Sequence, residues 1–345
     1  MIGAILKEYD LNGDDCIIQA FGTGLINYTW KITKGDDVYI LQHINQNIFK
    51  QPEYIAANIR IVADHLQDNY PGYLFVAPVA AASGKDMVLY KGENHFRMFP
   101  FVKGSHTVDV VNDPQLAFEA AKQFAAFTKK LSGLDATALK ITLPDFHNLS
   151  LRYQQFEQAL LHGNKERINN AAGSIEQLKS YRDIVDRFEG IKKDKDFKIR
   201  VTHHDTKISN VLFDASGKGL CVIDLDTIMP GYFISDVGDM LRTYLSPASE
   251  EEKDLDKIEV RREYLDAIIK GYMSEMGDEL TEKEKQSFIY AGKFMIYMQA
   301  LRFLTDYLND DVYYGSKYEG HNLIRAKNQL VLLEKLIEYK ETANK

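Results

Sequence analysis

Cysteine is scarce: the 345 residues hold two, Cys16 and Cys221. No disulfide framework rests on such a pair, and no Cys-x-x-Cys offers a zinc or redox site. Cys221 lies in the apolar run LCVID, where a small buried hydrophobe is expected. No run of about 18 apolar residues is present, so no bilayer-spanning helix and no membrane partner are expected. The N-terminus, MIGAILKEYDLNGDD, turns acidic too early for a signal peptide. The expectation is a soluble, cytoplasmic protein. A basic excess is missing too. The formal net charge is −8, which argues against a dedicated nucleic-acid binder. No Walker A sequence occurs, which disfavours a P-loop enzyme. No repeat, low-complexity tract or long linker interrupts the chain.

What is present is a 45% hydrophobic and 27% charged composition, ordinary for a globular protein with a substantial core. The length suits two lobes. Residues 15–42 alternate apolar runs with turn signals. They read as strand, glycine loop, strand, KGDD turn and strand. Ile55, Ile59, Val62 and Leu66 place a helix over 53–70. YLFVAPVA and DMVLYKGENHFRMFPFV read as further β-like runs. From residue 114 helices dominate. Asp113 and Pro114 are an N-cap and first-turn pair, and Phe118, Phe124, Phe127 and Leu131 recur near helical spacing. More helices are expected near 150–162, 174–190, 250–275, 281–308 and 322–342. Only residues 198–245 interrupt them, with IRVTHHD, NVLFD and GLCVIDLD as short strands. The fold class is therefore α+β, with a small β-rich part over 1–100 and a larger helical part over 101–345.

The chemistry concentrates in THHDTKISNVLFD, residues 202–214. His203, Asp205 and Asn210 fit H-x-D-x-x-x-x-N. Asp224 ends the next apolar run, CVID, and DTIMPGYFISDVGD follows with Gly231, Asp236 and Asp239. Phosphoryl transfer needs positioning, metal ions against phosphate charge, and an acceptor for the attacking hydroxyl's proton. Asp205 at a loop apex suits the proton. The carboxamide of Asn210 and the carboxylate of Asp224 suit magnesium, a hard cation that takes oxygen ligands. Asp and Asn are also common turn residues, but the strand-ending Asp224 sets this group apart from a polar turn. His203 either meets the substrate or holds the loop by hydrogen bonds. His204 reads as a neighbour, and Asp236 as a carboxylate that fixes the loop. A different class is a zinc or manganese hydrolase using His203, His204, Asp205 and Asp224. Adjacent histidines point apart on a strand, which disfavours a shared metal.

THHDTKISNVLFD, CVIDLDTIMPG and SDVGD together resemble the aminoglycoside phosphotransferase and choline kinase superfamily. YILQHIN, FRMFPFV, IDLDTIMPG, ALRFLTDYLNDDVYY and HNLIRAKNQ resemble its N-acetylhexosamine 1-kinase branch, over nearly the whole chain. The resemblance implies a protein-kinase-like fold of two lobes, with ATP and Mg2+ as cofactors and a small-molecule sugar as the acceptor. It implies Asp205 as the catalytic base that meets the substrate, with Asn210 and Asp224 as metal ligands. It places Gly22 and Gly24 in the loop over the ATP phosphates and Pro100, Phe101 and Val102 at the adenine hinge. Taken alone, residues 98–102 give only a strand end stopped by Pro100. Thr227 and Arg302 match sugar-contacting positions, with Asp226, Asp306 and Tyr313 as further candidates. One departure stands out. Gln42 and His43 occupy the third strand where many such kinases carry a phosphate-binding lysine. Phosphate contact then falls to His43, to Lys31 on the neighbouring strand, or mostly to magnesium.

The reading is an ATP-dependent kinase of the anomeric hydroxyl of an N-acetylhexosamine. Its rivals are a kinase of another small alcohol or amine, and a nucleotide-binding pseudokinase. The Gln42–His43 departure favours the pseudokinase; the intact Asp205, Asn210 and Asp224 set argues against it.

Overall fold

The alternating run over residues 15–43 folds into three antiparallel strands. These are β1 (Ile17–Ala20), β2 (Tyr28–Lys34) and β3 (Asp37–His43). The computed structural model describes residues 1–22 and 26–343. The β2–β3 turn is two residues long, and Gly35 takes the positive φ, +57°, that such tight hairpins need. A short helix α1 (Ile2–Lys7) precedes the sheet, and α2 (Pro52–Asn69) follows β3. Then β4 (Val88–Tyr90) and β5 (Asn94–Pro100) complete a five-stranded sheet of order β1-β2-β3-β5-β4. β5 pairs with β3, so that Gln42 lies opposite Arg97 and His43 opposite Phe96.

YLFVAPVA does not join this sheet as a strand. Pro78 in its middle has no N–H to donate, which bars a continuous ladder. Val79 alone reaches in, donating to the Met98 carbonyl at 2.7 Å.

The remainder is mainly helical. Helices α3 (Pro114–Lys130), α4 (Leu149–His162), α5 (Lys165–Asn170), α6 (Ala172–Ser180) and α7 (Asp183–Lys193) come first. The expected 174–190 helix is thus two. Four short strands follow: β6 (Arg200–Thr202), β7 (Val211–Phe213), β8 (Gly219–Val222) and β9 (Met229–Gly231). Helices α8 (Phe233–Tyr244), α9 (Arg262–Met276), α10 (Glu282–Lys285), α11 (Phe288–Leu308) and α12 (His321–Ala343) close the chain. Asp113 caps α3 as expected, its side chain accepting from the Gln115 N–H. Residues 250–261 form no α-helix, only a short 3-10 turn over Leu255–Lys257. Glu250 is drawn to Arg242 and Arg325, and Glu251 to Lys317 and His321, and both sit in a turn closed by the Glu252 N–H on the Ser249 carbonyl.

Two apolar cores result. The smaller lies against one face of the sheet: Ile5 and Leu6 pack on Ile32, Leu41, Phe96 and Met98. The larger gathers the helices, and α2 belongs to it through Ile55, Ile59, Val62 and Leu66. Burying each of these side chains is worth about 2 kcal/mol. Asn58, fully buried on α2, donates to the carbonyls of Lys140 and Ile228, both at 2.8 Å. So α2 is fastened to the segment that follows Asp224, not only to the strands beside it in sequence.

Candidate active site

Two small hairpins present the site. β6 pairs with β9 and β7 with β8, and the loop 203–210 joins β6 to β7. The Ile223 N–H donates to the Asn210 carbonyl at 2.9 Å, which brings the end of β8 beside that loop. Asp224 then turns with a left-handed φ of +61°. A non-glycine residue held there is uncommon, and Asp is among those that tolerate it. The sheet-to-helix connection is tied in as well, since His106 and Phe213 exchange both backbone hydrogen bonds.

The loop is held from below by α8. Asp236 is fully buried and accepts from the backbone N–H groups of His203, at 3.1 Å, and His204, at 2.7 Å. Burial pushes its acid up to about 7, against the pull of those two donors. Asp239 accepts from the Thr206 N–H at 2.9 Å and from Arg242 at 3.0 Å. Thr227 donates its hydroxyl to the His203 carbonyl at 2.6 Å. Asp236 thus occupies the loop-fixing place expected of it.

Both histidines turn inward. His203 reaches the Ile223 carbonyl through Nε2 at 2.9 Å, and its ring meets the edge of Phe124. His204 has a φ of +67°, and its Nδ1 lies 3.1 Å from the Thr227 carbonyl. Burial keeps both below the usual histidine range, His204 at about 4. Ring nitrogens turned onto the Ile223 and Thr227 carbonyls are not presented to a metal shared with Asp205 and Asp224. Among the described residues no group of three or more His, Cys, Asp or Glu forms a metal cluster. The hydrolase alternative loses its ligands.

Asp205 is partly exposed at the loop apex, with Lys207 Nζ 3.2 Å from its Oδ2. Burial pulls the Lys207 ammonium down, but Asp205, Asp224 and Asp239 together hold it above its ordinary value. Asn210 donates its side-chain N–H to the Asp205 carbonyl at 2.9 Å. That bond fixes the amide plane and leaves Oδ1 as the acceptor end. Asp224 opens to the cleft. Desolvation by the surrounding protein, then the charges of Asp226 and Asp205, raise its acid above the usual carboxylate range. Such a set of neighbouring carboxylates has an excess of negative charge that a divalent cation would relieve. Magnesium keeps waters and phosphate oxygens alongside one or two protein oxygens, so Asn210 and Asp224 fit it without a protein cage.

Asp226 is buried and already occupied. It accepts from Asn27 Nδ2 at 2.7 Å and pairs with Arg97 Nη2 at 2.5 Å. Arg97 comes from β5 and is itself held by Gln42, whose Oε1 accepts from Nε at 3.0 Å and Nη2 at 2.8 Å. His43 lies on the opposite face of β3, bonded to Asn94 and stacked on Phe96 with ring centroids 4.7 Å apart. Lys31 shares the face of Arg97, and its ammonium sits 4.8 Å from the Phe101 ring centre. At the strand end the Phe101 N–H donates to the Val38 carbonyl, and the Val102 carbonyl accepts from the Ser105 hydroxyl. Pro100 closes β5. Gly22 has a φ of +80°, and Gly24 lies outside the described residues.

On the other side of the catalytic loop, the ring of His204 packs on His147, with centroids 5.3 Å apart. Burial first, then His204, Arg302, Arg242 and Arg152, hold His147 well below the usual histidine range. Arg302 donates to Gln299 at 3.3 Å and reaches Tyr313 Oη at 3.4 Å, over the rings of Tyr313 and Tyr314. The acids here are engaged. Asp306 accepts from the N–H groups of Tyr313 and Tyr314, and Asp311 pairs with Arg167 at 2.6 Å. Sequence reasoning passed over Arg97, Lys207, Arg242 and His147. Only Lys207, inside the motif, carried a local signal.

Comparison with known proteins agrees with this geometry. The structure is similar to that of a microcompartment-associated aminopropanol kinase, with a TM-score of 0.69 at 18% identity, covering 98% of this chain and 97% of that one. An amicoumacin kinase in complex with AMP-PNP, Ca2+ and Ami matches with a TM-score of 0.63 at 17% identity, over 96% and 93% of the two chains. Choline kinase from Cryptosporidium parvum Iowa II matches at 0.61 and 12% identity, over 98% and 96%. At such identities the likeness establishes the kinase-like fold. The model of the phosphotransferase enzyme family matches residues 17–272. The chain belongs to the phosphotransferase enzyme family.

Proposed function

We propose that this phosphotransferase is a sugar 1-kinase, which transfers the γ-phosphoryl group of ATP to the anomeric hydroxyl of an N-acetylhexosamine. The observation that carries the reading is the charge of the acceptor wall. The charge comes from Arg302 and Arg152 beside the ring of His147, which burial and these guanidinium groups keep neutral, while Asp306 and Asp311 are tied to their own partners. A choline, ethanolamine or aminopropanol head is cationic and gains nothing from guanidinium groups. A sugar offers hydroxyl and carbonyl oxygens, which guanidinium donors suit. The resemblance of IDLDTIMPG and ALRFLTDYLNDDVYY to the hexosamine branch points the same way.

In this reading residues 1–100 carry the nucleotide and 101–345 the catalytic loop and acceptor. Asp205 orients the anomeric hydroxyl and takes its proton as the O–P bond forms and the bond from the γ-phosphorus to the leaving oxygen of ADP breaks. Lys207 stands beside it, charged, at the place where the transferred group gathers negative charge. Asn210 and Asp224 hold magnesium, which neutralises phosphate charge when bound. Gly22, with Gly24, lets the loop backbone approach the phosphates, and Gln42 acts from the cleft face of β3. The Phe101 carbonyl and Val102 N–H face adenine, with Pro100 setting the strand end. Arg302 holds sugar oxygens. Thr227 acts through the His203 carbonyl it bonds, as a brace for the loop. His43, on the far face of the sheet, has no part in it.

The test is ADP release with ATP and magnesium over a panel of free sugars, with choline, an aminopropanol and an aminoglycoside included and Asp205→Asn as the blank. N-acetylglucosamine or N-acetylgalactosamine should turn over, and the blank should fall by at least about 100-fold, the usual contribution of a general base. Turnover with the amines alone would discard the sugar and keep the kinase.

A further inference from the structure

In protein kinases the cation that meets the nucleotide's phosphates is a lysine on the third strand, held by an acid from the following helix. Here both partners are missing from those places, and both roles are filled from elsewhere. Gln42 stands on β3. Its cross-strand partner is Arg97 of β5, and directly opposed residues share a face of the sheet. Leu41, Phe96 and Met98 turn to the small core, so Gln42 and Arg97 turn to the cleft. The acid does not come from α2, which is fastened through Asn58 to the larger core. It comes from Asp226, two residues beyond Asp224, at 2.5 Å from Arg97 Nη2.

Two further observations give the guanidinium a direction. Gln42 Oε1 accepts from both Nε and Nη2, which fixes its plane. Last, Nη1 is buried and has no hydrogen-bond partner among the described residues, in a side chain only 1% exposed. A buried guanidinium N–H left without an acceptor is costly, and groups like it call for a reason. Arginine is the side chain best shaped to give such a donor to a phosphate oxygen.

We propose that Arg97 is the phosphate-binding cation of this enzyme, delivering Nη1 to a phosphate oxygen of the nucleotide, and that Gln42 and Asp226 are its positioning residues. The proposal rests on the reading of this cleft as a nucleotide site and is independent of which acceptor the enzyme takes. The pair also joins the sheet to the catalytic segment, so nucleotide binding and the placement of Asp224 are coupled through one ion pair.

The experiment is calorimetric titration of ADP and of adenosine without acceptor and without magnesium. It uses the wild type, Arg97→Lys and the double variant Arg97→Met/Asp226→Leu. The double variant removes both members of the buried pair, so neither charge is left alone. ADP should bind about 10- to 100-fold more weakly to it, the range for a lost charge-assisted hydrogen bond, while adenosine binds within about twofold of wild type. Arg97→Lys, which keeps the charge and loses the fork, should fall between for ADP and leave adenosine unchanged. Equal changes for ADP and adenosine, or none for either, would make Arg97 a structural strut and overturn the proposal. If the double variant fails to fold by circular dichroism, the lysine variant decides by the same comparison. No ADP binding to the wild type would overturn the proposal and the nucleotide site together. A wrong acceptor would leave the titrations untouched.

Discussion

Asn210 donates its side-chain N–H to the backbone carbonyl of Asp205 across 2.9 Å. One residue thus fixes the loop that carries Asp205 and keeps its own Oδ1 as a free acceptor end for the metal proposed there. Asn210→Ala should therefore lose both functions, with kcat falling by about 100-fold or more and the magnesium concentration for half-maximal rate rising. Magnesium titration of the steady-state rate checks this. An unchanged magnesium dependence would remove Asn210 from the metal site.

Arg302 is held on Gln299 and over two tyrosine rings rather than by an acid. Arg302→Ala should raise the KM for the acceptor about 10-fold or more, the worth of a hydrogen bond to a charged group, and leave the KM for ATP within about twofold. Equal rises in both constants would mean a general disturbance of the fold.

Gly231 sits where no side chain fits. A Cβ there would run into the ring of His204 and the hydroxyl of Thr202. Thr202 ends the strand that feeds the loop 203–210, and His204 is in that loop. Gly231→Ala should destabilise the protein by about 1–3 kcal/mol, the usual cost of overpacking, and lower kcat by more than the unfolded fraction explains. Thermal melts beside single-turnover rates separate the two effects.

The buried histidines give the stability a pH dependence of known sign. His204 titrates at about 4 in the folded chain and near 6.5 unfolded. Between these values the unfolded chain binds the proton and the folded one does not. Stability is therefore full above about pH 6.5 and falls as pH drops toward 4, by up to about 3 kcal/mol from this residue. His204→Asn suits the positive φ and should flatten the melting temperature over that window, relative to wild type. Parallel curves for the two proteins would contradict it.

The motif and its placement were legible because they are local. H-x-D-x-x-x-x-N, the strand-ending Asp224 and the loop-fixing Asp236 all fall within 203–236, and short hairpins bring them together. Arg97 was not legible in the same way. It matters only because β3 and β5 pair in the register that sets it opposite Gln42, and no local pattern states that register. The inward turn of His203 and His204 depended on Asp236 pulling both backbone N–H groups from another helix. Where local patterns misled, tertiary partners prevailed. Glu250 and Glu251 fit a helical pattern, but Arg242, Arg325, Lys317 and His321 draw them into a turn outside any helix. YLFVAPVA has strand-like composition, but Pro78 denies it the ladder.

The central claim is that the transferred phosphate ends on the anomeric oxygen of an N-acetylhexosamine. Phosphorus-31 NMR of the reaction with N-acetylglucosamine and N-acetylgalactosamine, read for coupling to the anomeric proton, tests it most directly. The account predicts one new phosphomonoester signal coupled to H1, lost on mild acid treatment and absent with Asp205→Asn. A phosphate coupled to another ring position, or one formed only on an amino alcohol, would contradict it.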